Sequence, residues 1–264
     1  MVTLQQLARQ SLLPNEILIA DDGSGPETSK AVEAFQAIHH ELDVFHIWHK
    51  DSGFDKCGVL NLAIGKARSD YILFLDDDCP CPPHFIAEHM KRAHIGSFTV
   101  GSSVLLNQGT TRAVLEERDL NQFLNLSLFS KLTRFDYGAK GGRSKFFLRA
   151  AFSGRFVGRI LDRLYFARGV LRGGNSGVWR QDLMEVNGFN EDLKHGHEDK
   201  ELGIRLTNLG RSLKQVRFAA SNYHLDHERP YADSELRRKQ NDHCRRVRRS
   251  GESVCVRGIK RQQG

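Results

Sequence analysis

The feature that most constrains the fold of this 264-residue chain is a short apolar run that ends in three consecutive aspartates. The run, Tyr71-Ile-Leu-Phe-Leu75, has the length of a strand and is apolar on both faces. Such strands are typical of parallel sheets that helices cover on both sides. In open sheets of this kind, ligands bind at the carboxyl ends of the strands. The sequence therefore predicts a buried strand that brings Asp76, Asp77 and Asp78 to a ligand site.

Strand-like and helix-like patterns alternate along the chain. In order, we predict a helix over 3–11, a strand over 16–20, a helix over 26–40, a strand over 42–49, a helix over 57–68, the strand over 71–75, a helix from 82, and strands over 98–105, 176–179 and 213–220. Further helices are predicted over 181–187 and 198–208. This alternation predicts an α/β fold with a doubly wound, mostly parallel sheet and helices on both faces.

The net charge of +7 is distributed unevenly. Residues 131–172 contain 11 Lys/Arg against 2 Asp/Glu, and residues 229–264 contain 11 against 4, so the rest of the chain is acidic. This asymmetry is typical of proteins that meet nucleic acid, anionic lipid or a phosphorylated substrate. The alternative is a solvated helix face and a disordered tail. Because the last segment has few apolar residues, we expect it to be frayed.

Other features of the composition narrow the class of protein. No apolar stretch approaches the ~18 residues of a membrane-spanning helix, and the N-terminus has no signal-peptide pattern. The five cysteines are odd in number and form no C-x-x-C pair, which favours a reducing compartment over a disulfide framework. We therefore expect a cytoplasmic protein, and we expect Cys79 and Cys81 to pack rather than to bind metal.

Acidic residues follow two of the predicted strands. Three adjacent carboxylates at 76–78 repel one another, and a divalent cation such as Mg²⁺ or Mn²⁺ would relieve this repulsion and bridge to phosphates. The alternative is an exposed acidic turn, but the buried strand before it favours the cation. Asp21 and Asp22 end the strand at 16–20 in the same way, before a Gly-Ser-Gly loop. Two acid-ended strands at one sheet edge predict a shared nucleotide site.

Two motifs in the second half of the chain carry further candidate residues. Glu198 and Asp199 open a predicted helix, whose dipole stabilises carboxylates, although helix capping would explain them too. His224 and His227 follow a predicted strand at a spacing that allows metal binding. Taken alone this pair is weak evidence, because the chain has 12 histidines.

Five motifs follow one another in order between about residues 5 and 228. They are Pro14-Asn-Glu-Ile-Leu-Ile-Ala-Asp-Asp-Gly-Ser24, Asp70-Tyr-Ile-Leu-Phe-Leu-Asp-Asp-Asp-Cys-Pro80, Arg172-Gly-Gly-Asn-Ser176, Gly196-His-Glu-Asp199 and Tyr223-His-Leu-Asp-His227. In this order they resemble family-2 glycosyltransferases of GT-A fold with a galactosyltransferase-type C-terminal half. The order of the five is far more specific than any one of them.

The resemblance implies a role for each matching residue. The expected donor-binding residues are Asp21 and Asp22 at the nucleotide base, Asp76 at the ribose, and Asp77, Gly174 and Asn175 nearby. Asp78, His224 and His227 are expected to hold the metal, Mn²⁺ or Mg²⁺, on the diphosphate. Asp199 is expected to be the catalytic base and Glu198 an acceptor contact.

The resemblance also implies an organisation and some departures from it. We expect a GT-A domain over 1–228, with a nucleotide-binding half (1–105), a basic helical insertion (106–172) and an acceptor half (173–228), followed by a basic tail (229–264). The family pattern begins with an apolar strand that is not found here, so we expect upstream codons to encode it. His195 replaces a tryptophan, and Asp55 stands where a basic residue is usual.

These observations predict a metal-dependent, inverting glycosyltransferase. It would move a hexose or N-acetylhexosamine from a nucleotide sugar, most simply a UDP-sugar, to a sugar hydroxyl of a bacterial surface glycan or lipid-linked precursor. Basic and aromatic residues of the insertion predict contact with an anionic membrane surface. They are Lys131, Arg134, Lys140, Arg143, Lys145, Phe146, Phe147, Arg149, Phe152, Arg155, Phe156 and Arg159. The alternatives are an impaired nucleotide-sugar-binding protein of the same fold and a basic nucleic-acid-binding protein; we expect no nucleic-acid partner.

Overall fold

The computed structural model describes residues 1–117, 120, 149, 151–165, 170–194, 196–227 and 234–260. His195 and the part of the basic insertion from Lys131 to Phe147 lie outside the described residues. None of the helices in these ranges has the length and hydropathy needed to cross a bilayer.

Helices and strands alternate in the described residues as expected. The helices are α1 Val2–Leu7, α2 Pro26–Ile38, α3 Lys56–Lys66, α4 Phe85–Met90, α5 Gln108–Glu117, α6 Phe156–Leu164, α7 Arg180–Glu185, α8 Glu198–Asn208 and α9 Ser234–Ser250. The strands are β1 Ile17–Asp21, β2 Val44–Trp48, β3 Tyr71–Phe74, β4 Ser97–Val100, β5 Ser102–Leu105, β6 Ser176–Trp179, β7 Ser212–Gln215 and β8 Ser221–His224.

The described strands pair in three hydrogen-bonded sheets, in which parallel pairs predominate. β1 pairs with β2, β4 with β7, and β5 with β8, all in parallel. β6 lies between β3 and β4 and is antiparallel to both. The central core packs Phe74, Phe98, Val178 and Phe189 between this sheet and the helices. The architecture is therefore the mixed α/β arrangement, rich in parallel strands, that the sequence predicts.

The single strand predicted over 98–105 is wrong, because the chain breaks there into β4 and β5. The break falls at Gly101, where an added Cβ would lie 2.0 Å from Oδ1 of Asn175. The side chain of Asn175 fills this position and donates through Nδ2 to the carbonyls of Ser102 (3.1 Å) and Ala220 (2.8 Å). Only glycine leaves room for this contact.

The strand predicted over 213–220 is wrong in its second part, because β7 ends at Gln215 and residues 216–220 form a buried turn that leads into β8. Asp162 of α6 accepts the backbone N–H groups of Phe218 and Ala219, both at 2.9 Å. Local sequence cannot distinguish an apolar turn of this kind from a strand, because the turn depends on a carboxylate more than fifty residues away.

The expectation that the C-terminal segment is frayed is wrong for residues 234–250, which form α9. This helix packs on α8, where Cys244 and Val247 are buried against Ile204. Lys200 Nζ donates to Asn241 Oδ1 at 2.6 Å and strengthens the contact. Few apolar residues are enough here, because they share one face of the helix and the arginines occupy the other.

Candidate active site

A paired lysine and aspartate lie at the carboxyl end of β3. Lys56, the first residue of α3, donates from Nζ to Oδ1 of Asp76 at 3.2 Å. Behind Asp76, the backbone of Gly174 approaches so closely that a Cβ there would lie 2.5 Å from Oδ2. The glycine therefore lets the backbone before β6 approach Asp76 closely.

Asp78, His224 and His227 form a compact cluster two residues further on. Oδ2 of Asp78 lies 3.2 Å from Nε2 of His224 and 2.9 Å from Nε2 of His227. The two imidazole rings stack at 15°, with their centroids 5.2 Å apart. Backbone pairing places them there, because the N–H of Leu225 donates to the carbonyl of Asp78 at 2.9 Å. The structure thus brings together three predicted metal ligands from distant parts of the sequence.

The donor atoms of this cluster suit a divalent cation. One ligand atom from each of the three residues lies within 4.8 Å of the others. Nδ1 of His224 lies 2.6 Å from the carbonyl of Leu225, so this nitrogen is the donor and Nε2 keeps its lone pair. Two imidazoles beside one carboxylate favour a transition metal such as Mn²⁺ over Mg²⁺, which prefers oxygen ligands.

A small cavity beside Asp76 contains the two acidic residues that begin α8. Lys56, Asp76, Glu198 and Asp199 supply its polar wall. Its apolar wall is formed by Leu60, Phe74, Leu75 and Phe189. The arrangement places three carboxylates and one lysine around a single space.

Asp199 is oriented by backbone groups. Its Oδ2 accepts the N–H of Gly173 at 3.1 Å, and its Oδ1 accepts the N–H of Lys200 at 2.6 Å. Both bonds hold the carboxylate in place at the N-terminal end of α8. A carboxylate held at the cavity wall is positioned to act as a general base.

Glu198 differs from its neighbour in its surroundings. It is 8% exposed, and its Oε2 has no hydrogen-bond partner. Burial raises the pKa of Glu198, and the nearby carboxylates of Asp199 and Asp76 raise it further, while Lys56 opposes them. For Lys56, burial alone would lower the pKa, but the carboxylates of Asp76, Glu198 and Asp199 outweigh it and raise the pKa.

α8 is held in place by an interior ion pair. Arg205 is 1% exposed, and its Nε lies 2.9 Å from both carboxylate oxygens of Glu201. Its two terminal nitrogens donate to the carbonyls of Val186 (2.6 Å) and Gly188 (2.7 Å). These bonds tie the helix that begins with Glu198 and Asp199 to the turn after α7.

The structure places Asp21 and Asp22 at the end of β1, as predicted, but both are occupied by the protein. Asp21 is buried, and it contacts His46 (2.7 Å) and the N–H of Ser24 (2.8 Å). Burial would raise the pKa of Asp21, but these partners outweigh it and lower the pKa. Asp22 is more accessible and holds His49 (2.7 Å) and the N–H of Asp55 (2.8 Å). Asp21 therefore shapes the loop, and Asp22 is better placed to face a nucleotide.

Two further predicted donor residues lie elsewhere. Asn175 is 1% exposed, and both ends of its amide are used inside the protein, with Oδ1 2.9 Å from Nε2 of His89. Its side chain fixes the scaffold and does not reach the cavity, which corrects the predicted donor contact. Asp77 exposes its side chain, and its carbonyl accepts the hydroxyl of Thr3. Cys79 and Cys81 are buried, as the packing prediction requires.

Sequence reasoning missed Lys56. The resemblance directs attention to position 55, where Asp55 replaces a basic residue, while the cation that contacts Asp76 comes from the next position. The available signal was its place in the sequence, because Lys56 directly precedes the helix predicted before the strand that ends in Asp76. It also missed Arg205, because i,i+4 spacing to Glu201 is common on exposed helix faces.

Comparison with known proteins identifies the family. The model of glycosyl transferase family 2 matches residues 2–153, and that of the N-terminal domain of galactosyltransferase matches residues 164–228. Chondroitin synthase of Pasteurella multocida (strain Pm70) is 27% identical over 216 residues, which is 78% of this chain and 21% of that protein. The chain spans between 13% and 22% of the length of the curated relatives it matches.

Solved structures show the same fold at low identity. The mannosyltransferase PcManGT from Pyrobaculum calidifontis, in complex with GDP-Man and Mn²⁺, has a TM-score of 0.55 at 16% identity and covers 94% of this chain and 56% of its own. S. aureus TarS 1–349 in complex with UDP-GlcNAc has a TM-score of 0.52 at 16% identity, over 94% and 66%. With the family model matching more than half of the residues, this chain belongs to glycosyl transferase family 2 and has the GT-A fold.

Proposed function

We propose that this chain transfers a hexose or N-acetylhexosamine from a nucleotide diphosphate sugar, specifically a UDP-sugar, to a hydroxyl of an acceptor sugar with inversion. The observation that supports it best is the proximity of two sites beyond the carboxyl end of β3. Asp78, His224 and His227 form a cation site, and Asp199 lines a cavity beside Asp76 two residues away. The cation site would bind the donor diphosphate, and Asp199 would accept the proton of the acceptor hydroxyl.

The proposed metal is Mn²⁺, held by Asp78 and the two histidines. The support from this structure is the set of ligand atoms, which come from one carboxylate and two imidazoles and lie within 4.8 Å of one another. Mn²⁺ is present in the PcManGT complex with GDP-Man. When bound, the ion supplies positive charge that neutralises the leaving diphosphate. Asp76, paired with Lys56, is then the residue proposed to hold the ribose.

The proposed reaction is a direct displacement. The acceptor oxygen attacks the anomeric carbon, its proton passes to Asp199, and the bond from that carbon to the diphosphate oxygen breaks with its electron pair leaving on the nucleotide. Attack from the face opposite the leaving group inverts the anomeric centre. Glu198, buried beside Asp199 with one oxygen unpartnered, is proposed to orient the acceptor.

The proposed acceptor is a bacterial surface glycan or a lipid-linked precursor of one. A relative that is a chondroitin synthase and a structural neighbour that binds UDP-GlcNAc support a polysaccharide product and a UDP-sugar donor. This chain is similar to only a part of each of these two proteins. We therefore propose to measure its donor preference directly. A thermal-shift panel of UDP-, GDP- and dTDP-sugars, each with and without Mn²⁺, makes that measurement. Stabilisation by UDP-sugars that requires Mn²⁺ is expected, and equal stabilisation without metal would contradict metal dependence.

A separate experiment distinguishes a transferase from an impaired binding protein. Release of UDP from a UDP-sugar, with and without added glycan acceptor, is expected to rise when the acceptor is present. Binding of the nucleotide sugar with no turnover under any acceptor would instead favour the binding protein.

We also propose that the enzyme works at the inner face of the membrane through α6. Four apolar residues of this helix are exposed, among them Phe156 (69%) and Leu164 (67%), and Arg155 and Arg163 flank them. Apolar side chains bordered by arginines suit an anionic bilayer surface. Phe156→Ser is expected to reduce co-sedimentation with phosphatidylserine vesicles, whereas Ile38→Ser, exposed at the end of α2, is the matched control. Equal vesicle binding by the two variants would refute the role of α6.

A further inference from the structure

Three arginines interact with one another near the cavity, apart from the residues already assigned to the metal and the donor, and one of them, Arg172, lies beside Asp199. Arg172 immediately precedes Gly173, whose N–H binds Asp199 at 3.1 Å. Arg217 lies in the turn between β7 and β8, and Tyr165 follows the last residue of α6. Arg149 is the third basic residue of the group and lies close enough to repel the other two. We call Arg149, Arg172, Arg217 and Tyr165 the arginine cluster.

Hydrogen bonds fix the two backbone segments that carry the cluster. Asn175, three residues after Arg172, donates to the carbonyls of Ser102 and Ala220. Ser102 donates from its hydroxyl to the carbonyl of Arg217 at 2.8 Å. The backbone segments that carry Arg172 and Arg217 are therefore held together at the junction of β5, β6 and β8.

Arg217 is a buried cation with few partners. It is 9% exposed, its Cζ lies 5.0 Å from the Tyr165 ring centroid, and its Nη1 lies 3.4 Å from the Tyr165 hydroxyl. Its Nε has no hydrogen-bond partner, and it forms no ion pair with an acid in the residues described. Arg205, which is 1% exposed, is paired with Glu201 and two carbonyls. A buried guanidinium without a carboxylate is costly, so the contrast points to a partner that is not part of the protein.

The electrostatics agree with this geometry. Burial and repulsion from Arg217 and Arg172 lower the pKa of Arg149 to about 10. Desolvation and repulsion from Arg217 also lower the pKa of Arg172, whose side chain is exposed to solvent, while Asp199 opposes the shift. An anion bound between the guanidinium groups would relieve the repulsion. Arginine forms two parallel hydrogen bonds with a carboxylate or a phosphate.

We infer that the arginine cluster binds an anionic group of the acceptor, either the carboxylate of an acidic sugar or a phosphate, and so orients the sugar hydroxyl toward Asp199. This inference rests on the proposed function. The acceptor is favoured over the donor because Arg172 lies beside Asp199, which receives the acceptor proton in the proposed reaction. The donor diphosphate has its own site at Asp78, His224 and His227.

The test compares three small probes that share one sugar ring: methyl β-glucuronide, methyl β-glucoside and glucose 6-phosphate. Ligand-observed NMR titration, at fixed ionic strength and with and without UDP and Mn²⁺, gives the affinity of the protein for each. At least one anionic probe is expected to bind about tenfold more tightly than the neutral glucoside. Preference for the glucuronide identifies an acidic sugar, and preference for the phosphate identifies a phosphorylated acceptor.

Two variants and a control separate the cluster from the general positive charge of the protein. Arg172→Gln, at a partly exposed position, is expected to reduce the preference for the anionic probe to within about twofold, and Arg217→Gln is expected to do the same if its melting temperature shows that it folds. Arg238→Gln, on the exposed face of α9, is expected to keep the preference. Equal binding of all three probes, or a preference that Arg172→Gln leaves intact, would overturn the inference. Loss of UDP binding alone would refute the proposed function and leave the anion preference measurable.

Discussion

Removal of the Lys56 charge should change the pH dependence of sugar transfer. Lys56 is the cation in contact with Asp76 at 3.2 Å, and its charge also acts on Glu198 and Asp199. Lys56→Met keeps much of the length of the side chain and removes its charge. Three carboxylates then surround the cavity with no lysine among them, so protonation of a cavity carboxylate becomes easier.

The size of the effect follows from distance and exposure. Two unit charges 3.2 Å apart attract each other by about 5 kcal/mol at an effective dielectric constant of about 20. Because 35% of the Lys56 side chain and 39% of the Asp76 side chain are exposed, solvent screening reduces this to about 1 kcal/mol. An energy of about 1 kcal/mol corresponds to about a fivefold change in an equilibrium constant. Lys56 lowers the pKa of Glu198 against the effect of burial, so its loss raises that pKa.

The assay is the initial rate of UDP release from UDP-sugar and acceptor between about pH 4.5 and pH 9. The acidic limb of the profile is expected to move to higher pH in Lys56→Met, because loss of the lysine charge raises the pKa of Glu198 beside Asp199 and the transfer needs an ionised carboxylate. Lys66→Met is the matched control, since Lys66 lies exposed at the far end of the same helix. An acidic limb that stays in place in Lys56→Met, or moves equally in Lys66→Met, would refute the electrostatic role of Lys56.

Two further perturbations separate function from stability. Asp199→Asn is expected to slow transfer by about 10²–10⁴-fold and to leave the affinity for the UDP-sugar nearly unchanged. Glu198→Gln is expected mainly to raise the KM for the acceptor. If steady-state kinetics show the reverse pattern, the roles of the two residues are exchanged. Burial raises the pKa of Asp162 to about 6, although the N–H groups of Phe218 and Ala219 favour its charged form. A raised pKa favours the protonated native state, so this stability is complete below the unfolded pKa of about 4 and is lost as the pH rises through about 6. Relative to Asp162→Asn, wild-type stability should therefore fall by about 3 kcal/mol between about pH 4 and pH 7, and urea unfolding curves that keep a constant difference would contradict this.

Elements whose sequence pattern is local were predictable. The apolar run at 71–75 correctly predicts β3, although only Phe74 of this strand is fully buried, and Pro26 begins α2 as its fixed φ angle favours. The break at Gly101 was not predictable, because its cause is the side chain of Asn175 on another strand. The α9 helix was missed for a similar reason, since the apolar face of α8 that stabilises it lies elsewhere in the sequence.

The site shows the same division between local and tertiary information. The order of motifs correctly gathered Asp78, His224 and His227, which lie far apart in the sequence. It misjudged Asn175, since a motif shows which residue is present but not whether its amide faces a ligand or the interior. The roles of Lys56 and the arginine cluster could not be predicted, because they depend on residues that only the fold brings close to them.

The measurement that tests the central claim most directly is calorimetric titration of UDP into the protein with and without Mn²⁺. Wild-type protein is expected to bind UDP at least tenfold more tightly with Mn²⁺, and Asp78→Asn is expected to lose this dependence. Asp70→Asn, exposed just before the opposite end of β3, is expected to behave as wild type. Mn²⁺-dependent UDP binding that survives in Asp78→Asn would contradict the assignment of Asp78, His224 and His227 as the metal site.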